Sequence, residues 1–283
     1  MINVKKISVA GLILLLVGIV GAISTFSSIN EADKVVEEKV IKDNQFTNID
    51  ITTDNARIEI LPTDGTTTNI ELIGNKVKYD LKANVEDSTL AVHLKYRQTK
   101  LFNFGFTPRG LSLIITVPEK TYNSLKVESN NGLINIEKLK ATNLYVTTDN
   151  GRIDLKDIEG STVSSEAKNG RIDLINVLAN TVKVRASNGK IYLDDVEGQL
   201  IGKSNNGSIS LITNSMDRPI EFATNNGEIT IETEKKPTNA TIDTSIDNGK
   251  VSIFGHSDEY AEFGNGKNLI KLSANNGKIT VSN

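Results

Sequence analysis

The sequence predicts an all-β chain: a single-stranded parallel β-solenoid with coils of about 19 residues, preceded by one N-terminal transmembrane helix. Three observations carry that prediction. Asn-Gly recurs at a nearly fixed period, branched aliphatics keep the same offsets from each glycine, and an uncharged apolar run opens the chain.

The repeats are Asn131-Gly132, Asn150-Gly151, Asn169-Gly170, Asn188-Gly189, Asn206-Gly207, Asn226-Gly227, Asn248-Gly249 and Asn276-Gly277, with glycine-to-glycine steps of 19, 19, 19, 18, 20, 22 and 28 residues. Two residues after the glycine stand Ile134, Ile153, Ile172, Ile191, Ile209, Ile229, Val251 and Ile279. Four after it, and seven before it, every copy is again aliphatic, from Ile136 to Val281 and from Leu125 to Ile270. Offsets of two mean strands, because side chains alternate faces. Asn and Gly both tolerate positive φ, which a tight turn demands. Asn-Gly between strands also marks two-residue hairpins, so a meander of hairpins is the alternative. Separate hairpins would not need one apolar register in every copy. Stacked coils would, since each offset then becomes a continuous column, and stacked asparagines can bond along it. One coil cannot stand alone, because ordering its backbone costs more than three buried aliphatics contribute.

An earlier copy is found by placing Ala56 at the glycine position, which puts Ile49, Ile51, Ile58 and Ile60 in the columns. The solenoid domain therefore runs over 46–283. Residues 66–118 break the period and read as an insertion or cap of antiparallel strands, with Asp87-Ser88 as a hairpin turn; 121–283 carry the Asn-Gly repeats.

At the other end, Lys5 and Lys6 precede the uncharged stretch Ile7 to Phe26. Twenty helical residues span roughly 30 Å, the thickness of a bilayer's hydrocarbon core. Glu31, Asp33, Glu37 and Glu38 follow, so the positive-inside rule places residues 1–26 as cytoplasmic tip and anchor, with the rest outside the cell membrane. A cleaved signal peptide, cut near Ala22-Ile23-Ser24, is the alternative. Residues 27–45 read as a partly helical stalk or linker.

Composition excludes more functions than it suggests. No cysteine removes disulfides, thiolate metal sites and a lipoprotein anchor. His93 and His256 are far apart in sequence, so no metal or other cofactor is expected. A net charge of −3 disfavours a nucleic-acid partner. Only 5% of residues are aromatic, which leaves the core to aliphatics.

The repeated Asn-Gly-x-Ile-x-Leu pattern, with the phrase Ile115-Thr116-Val117-Pro118-Glu119-Lys120-Thr121-Tyr122 before the first full coil, resembles the bacterial "putative adhesin" family, the domain of unknown function 4097. Anchor plus domain is similar to the LiaG-type envelope-stress proteins of Gram-positive bacteria. The resemblance covers roughly residues 46–283. It implies a β-solenoid exposed outside the membrane and brings no catalytic residues.

Two groups of residues are candidates for interaction. Arg152 and Arg171 follow their glycines directly, with Asp154 and Asp173 two residues on, and face solvent. They either bind an anionic cell-wall polymer or pair with one another across coils. Phe102, Phe104 and Phe106 gather three of the eight phenylalanines and either form a sticky tip or plug the coil end. Asp194-Asp195 and Asp258-Glu259 are paired acids without the third group that a glycan-cleaving site needs, so no catalytic residue is assigned. The expected function is a non-catalytic extracytoplasmic binding module in envelope stress or surface adhesion, with another envelope protein or a wall polymer as partner. A self-associating surface protein and a carbohydrate-active enzyme are the alternatives. The last coil ends at Asn283 with nothing after it, so an open edge there would invite self-association unless the insert at Phe254–Lys267 folds over it.

Overall fold

Residues 34–74, 79–96 and 111–283 are described in the computed structural model. Strand β8 (Thr121–Glu137) lies parallel to the start of β9 (Lys140–Asn206), with Leu125 beside Leu144, Asn131 beside Asn150, Ile134 beside Ile153 and Ile136 beside Leu155. This parallel register rules out a meander of hairpins. β9 continues through three further Asn-Gly corners without leaving the ladder, and β10 (Ile209–Thr213) and β11 (Ile220–Thr233) stack on it in the same sense. The columns become one aliphatic core. Ile134, Ile153, Ile172, Ile191, Ile209, Ile229 and Ile279 are all buried, as are Leu125, Leu144, Val163, Val182 and Leu200.

Each full winding turns three times. The first corner is Asn-Gly, where adjacent backbones run so close that a Cβ on Gly170 would stand 1.6 Å from the carbonyl oxygen of Gly151. Six residues later comes a left-handed residue: Lys138, Asp157, Asn176 and Asp195 have φ of 56°, 55°, 53° and 52°. Asp and Asn suit that conformation; Lys138 adopts it without a side-chain reason. Nine residues after the glycine sits a small residue, Ala141, Gly160, Ala179 or Gly198. A Cβ on Gly198 would lie 1.9 Å from the Ala179 carbonyl oxygen.

The asparagine side chains form an unbroken ladder. Asn131 donates to Asn55, Asn150 to Asn131, Asn169 to Asn150, Asn188 to Asn169, Asn206 to Asn188, Asn226 to Asn206, Asn276 to Asn226 and Asn248 to Asn276, at 2.5–3.1 Å.

At both ends the windings leave chain order. Strands β2 (Asn48–Asn55) and β3 (Arg57–Thr63) form the winding next to β8, with Ile49 on Leu125 and Ile58 on Ile134, so Ala56 does stand in the glycine position. Outside them lie β6 (Thr89–Tyr96) on β2 and β7 (Ser112–Pro118) on β3, both parallel. The 66–118 region is thus not wholly antiparallel, as the sequence suggested. Leu90, Val92, Leu94, Leu113, Ile115 and Val117 are buried and extend the columns by one more winding. The antiparallel part is the outer layer: β5 (Tyr79–Glu86) on β6 through a turn at Asp87 and Ser88, and β4 (Thr68–Gly74) on β7. The stalk reading also needs correction, because β1 (Lys34–Ile41) is a strand paired with the open edge of β4.

At the far end β14 (Asn268–Ser282) inserts between β11 and β12 (Ala240–Ile253). The last coil in sequence is therefore internal, an arrangement that neither the open edge nor the folded-over insert of the sequence reading described. The 28-residue step gives the chain length to double back. β13 (Tyr260–Phe263) covers Ala240–Asp243 antiparallel, and Phe254 meets Phe263 edge to face at 5.8 Å. In the outermost winding Ile246 replaces the small residue that precedes each corner elsewhere and packs, partly buried, against the core.

The described residues contain no helix long and apolar enough to cross a membrane; the anchor at 7–26 lies outside them.

Candidate functional site

Between the Asn-Gly corner and the left-handed corner, side chains one, three and five residues after glycine point outward. Here the two arginines of the sequence reading come together with acids. Arg152 Nε lies 2.5 Å from Asp154 Oδ1, and its Nη2 reaches Asp173 Oδ2 on the next winding at 2.6 Å. The second contact is an ion pair whose N–H is poorly aimed. Arg171 Nε meets Asp173 Oδ1 at 2.6 Å, and its guanidinium lies 5.7 Å from the Tyr192 ring centre. Tyr192 donates to Asp194 at 3.1 Å. The Asp173 side chain is only 3% exposed although it sits on an outward column, because two guanidiniums roof it.

The electrostatics follow from that packing. Burial pushes the Asp154 carboxyl above the ordinary carboxylate range, with the Asp173 charge adding, and Arg152 only partly opposes this. Burial lowers the Arg152 pKa, but Asp154 and Asp173 together raise it further. These charges neutralise one another, which favours the pairing account of Arg152 and Arg171 over the polymer account.

The face before the Asn-Gly corner differs. Its outward columns stand six and four residues before glycine. They hold Tyr145, Ser164, Lys183 and Ile201 in one line, and Thr147, Glu166, Arg185 and Lys203 in the other. Beside Ser164 opens a recess of about 390 Å³, lined by Lys183, Arg185 and Lys203 together with Glu166 and Glu221. A second recess of about 180 Å³ adjoins it, shared by Glu166, Arg185 and Lys203. Sequence reasoning passed over these residues because their columns vary. The sign that could have found them is the pair Lys183 and Arg185 on alternate positions of one strand.

A third cluster is structural. Arg218, in the loop that lengthens the 20-residue step, donates to the carbonyls of Val196 and Ser215 at 2.8 and 2.7 Å and to Thr213 Oγ1 at 2.9 Å. Burial lowers its pKa, and Glu197 at 3.1 Å offsets part of that.

Phe102, Phe104 and Phe106 lie outside the described residues. Among the described residues no three His or acidic side chains could share a metal ion, and His93 on β6 and His256 beyond β12 sit at opposite ends of the solenoid. Asp194 accepts from the Tyr192 hydroxyl, and Asp195 is a left-handed corner whose charge acts with that of Glu197 on Arg218.

Residues 46–282 match the family described as Toastrack, DUF4097. The chain belongs to that family. The Toastrack match starts at Phe46, which is fully buried, and ends one residue short of Asn283. The Toastrack domain shares its fold with the crystal structure of a "putative adhesin" from Bacteroides fragilis NCTC 9343, at 14% identity, TM-score 0.54, over 88% of this chain and 98% of that one. A "putative cell adhesion protein" from Clostridium sporogenes ATCC 15579 matches at 16% identity over 89% of this chain and 99% of the other, with a TM-score of 0.29. Among curated proteins no sequence matches.

Proposed function

We propose that the chain is a non-catalytic binding module displayed outside a bacterial membrane on a single N-terminal span, acting in surface attachment or envelope-stress sensing. The observation that carries this reading is the outer surface of the solenoid. It presents side chains in fixed register along stacked windings, over an aliphatic core and an unbroken asparagine ladder. Such a surface suits an extended partner. A hydrolase or lyase needs an acid and a base converging on a cleft, whereas the acids on the best-formed charged face are held by arginines. Family membership supports a surface role through what related proteins are called.

The geometry also suits an anchor. Seven residues separate Phe26 from Lys34, a reach of at most roughly 25 Å. In this reading the β1 end of the solenoid stands near the membrane and the β12 end points away.

Protease treatment of intact cells tests the proposal. The solenoid should be digested from outside while an epitope placed before Lys5 stays protected. Protection of both would overturn it, and a shorter product in the medium would replace the anchor by a cleaved signal.

A further inference from the structure

We propose that the face before the Asn-Gly corner binds an acidic polysaccharide, with Lys183 and Arg185 pairing its carboxylates and Tyr145 carrying a sugar ring. This deepens the binding-module reading and rests on it. The asparagine ladder fixes the registers of the windings concerned, through Asn150, Asn169, Asn188 and Asn206. Neighbouring windings lie about 4.8 Å apart, so Tyr145 and Lys183, two windings distant, stand roughly 10 Å from each other with Ser164 between them. The 390 Å³ recess runs from Ser164 away from Tyr145, over Lys183 and Arg185 to Lys203 and Glu221.

The charges on this face are not equivalent. Lys126 pairs with Glu128 at 2.9 Å, Lys168 with Asp149 at 2.7 Å and Lys203 with Glu221 at 3.1 Å. Lys183 and Arg185 rim the recess, and neither pairs with a carboxylate among the described residues. Two free cations beside Glu166 suit a ligand of sparse negative charge and would repel little of it. A dense polyanion such as a nucleic acid would meet a chain of net charge −3. Two windings from Lys183 on the same column stands Tyr145, 42% exposed although aromatic, with Thr147 and Ser164 beside it. An open aromatic face flanked by hydroxyls offers a sugar both an apolar surface and hydrogen-bond partners. Arginine adds a planar fork matched to a carboxylate.

The test uses the full chain in detergent micelles, titrated with polygalacturonate, with neutral dextran and with polyphosphate. Polygalacturonate should bind, weaken as salt rises, and outcompete both other polymers. Combined Lys183→Glu and Arg185→Glu should weaken it roughly tenfold or more. Tyr145→Ala should weaken polygalacturonate alone. Lys250→Glu, beyond the Asn-Gly corner in the outermost winding, should leave binding unchanged. All four side chains are solvent-facing, and melting curves of the variants should overlay the parent. The proposal is overturned if polygalacturonate fails to bind, if Lys250→Glu weakens it equally, or if polyphosphate binds as tightly and Tyr145→Ala has no effect. Binding in solution does not depend on where the domain is displayed, so this result and the protease result can fail separately.

Discussion

The side-chain amide of Asn248 donates to Asn276 at 3.1 Å, although Asn276 comes 28 residues later and itself donates back to Asn226. The final coil is thus a wedge between two earlier ones. Removing residues 268–283 should therefore unseat the neighbouring winding as well. Hydrogen exchange should show lost protection across Ala240–Ile253, while Thr121–Asn206 keeps its protection. Retained protection in β12 would mean that β11 and β12 can close the gap directly.

The glycine column sets how closely the windings stack. Gly170→Ala would drive a Cβ into the Gly151 carbonyl at 1.6 Å, and backbone cannot swing aside as a side chain can. The expected loss is about 3 kcal/mol or more in urea unfolding. Gly255→Ala is the control: its φ is +87° but no atom lies within 4 Å, so only the conformational cost of about 1 kcal/mol applies.

Asp173 binds two arginines from adjacent windings. Asp173→Asn should cost about 1–2 kcal/mol, less than a fully buried pair, because both guanidiniums are half-exposed and can rehydrate. Polymer binding should be unaffected. A loss of binding at unchanged stability would return Arg152 and Arg171 to the candidate site.

Asp217 provides a pH-dependent prediction. Burial tends to raise its pKa, but the Thr238 hydroxyl and the backbone N–H groups of Asn239 and Thr238 donate to it and together hold it below the ordinary carboxylate range. Its folded pKa is depressed, so its contribution is present above the unfolded value of about 4 and fades as pH falls through the folded one. Asp217→Asn should lower the melting temperature at pH 7, and the difference should shrink under acid. An equal difference at both pH values would refute this account.

The repeat and its inward columns were legible because burial selects the same branched aliphatics at Ile153, Ile172 and Ile191 in every copy. The second corner was not. Lys138, Asp157, Asn176 and Asp195 share a left-handed backbone but not a residue type, and only the spacing of 19 betrays them. Order of stacking was hidden for another reason. β11, β14 and β12 carry one register, with Ile229, Ile279 and Val251 side by side, so any of their orders satisfies the pattern. What decides is the length of the Phe254–Lys267 insert, and length alone does not say where a chain returns. The same holds for β2 and β3, displaced inward by β6 and β7. Outward columns are freer still, which is why Arg152 stood out for its neighbours and Lys183 did not.

The swapped order at both extremities bears on how the molecule can change in size. Antiparallel strands interrupt the parallel repeat at either extremity, β5 along β6 and β13 over Ala240–Asp243 of β12, so a copy appended there would not continue the same pattern. Growth or shrinkage by whole repeats is confined to the uniform middle, from β8 to β10, where loss or duplication of one 19-residue unit leaves both specialised ends intact.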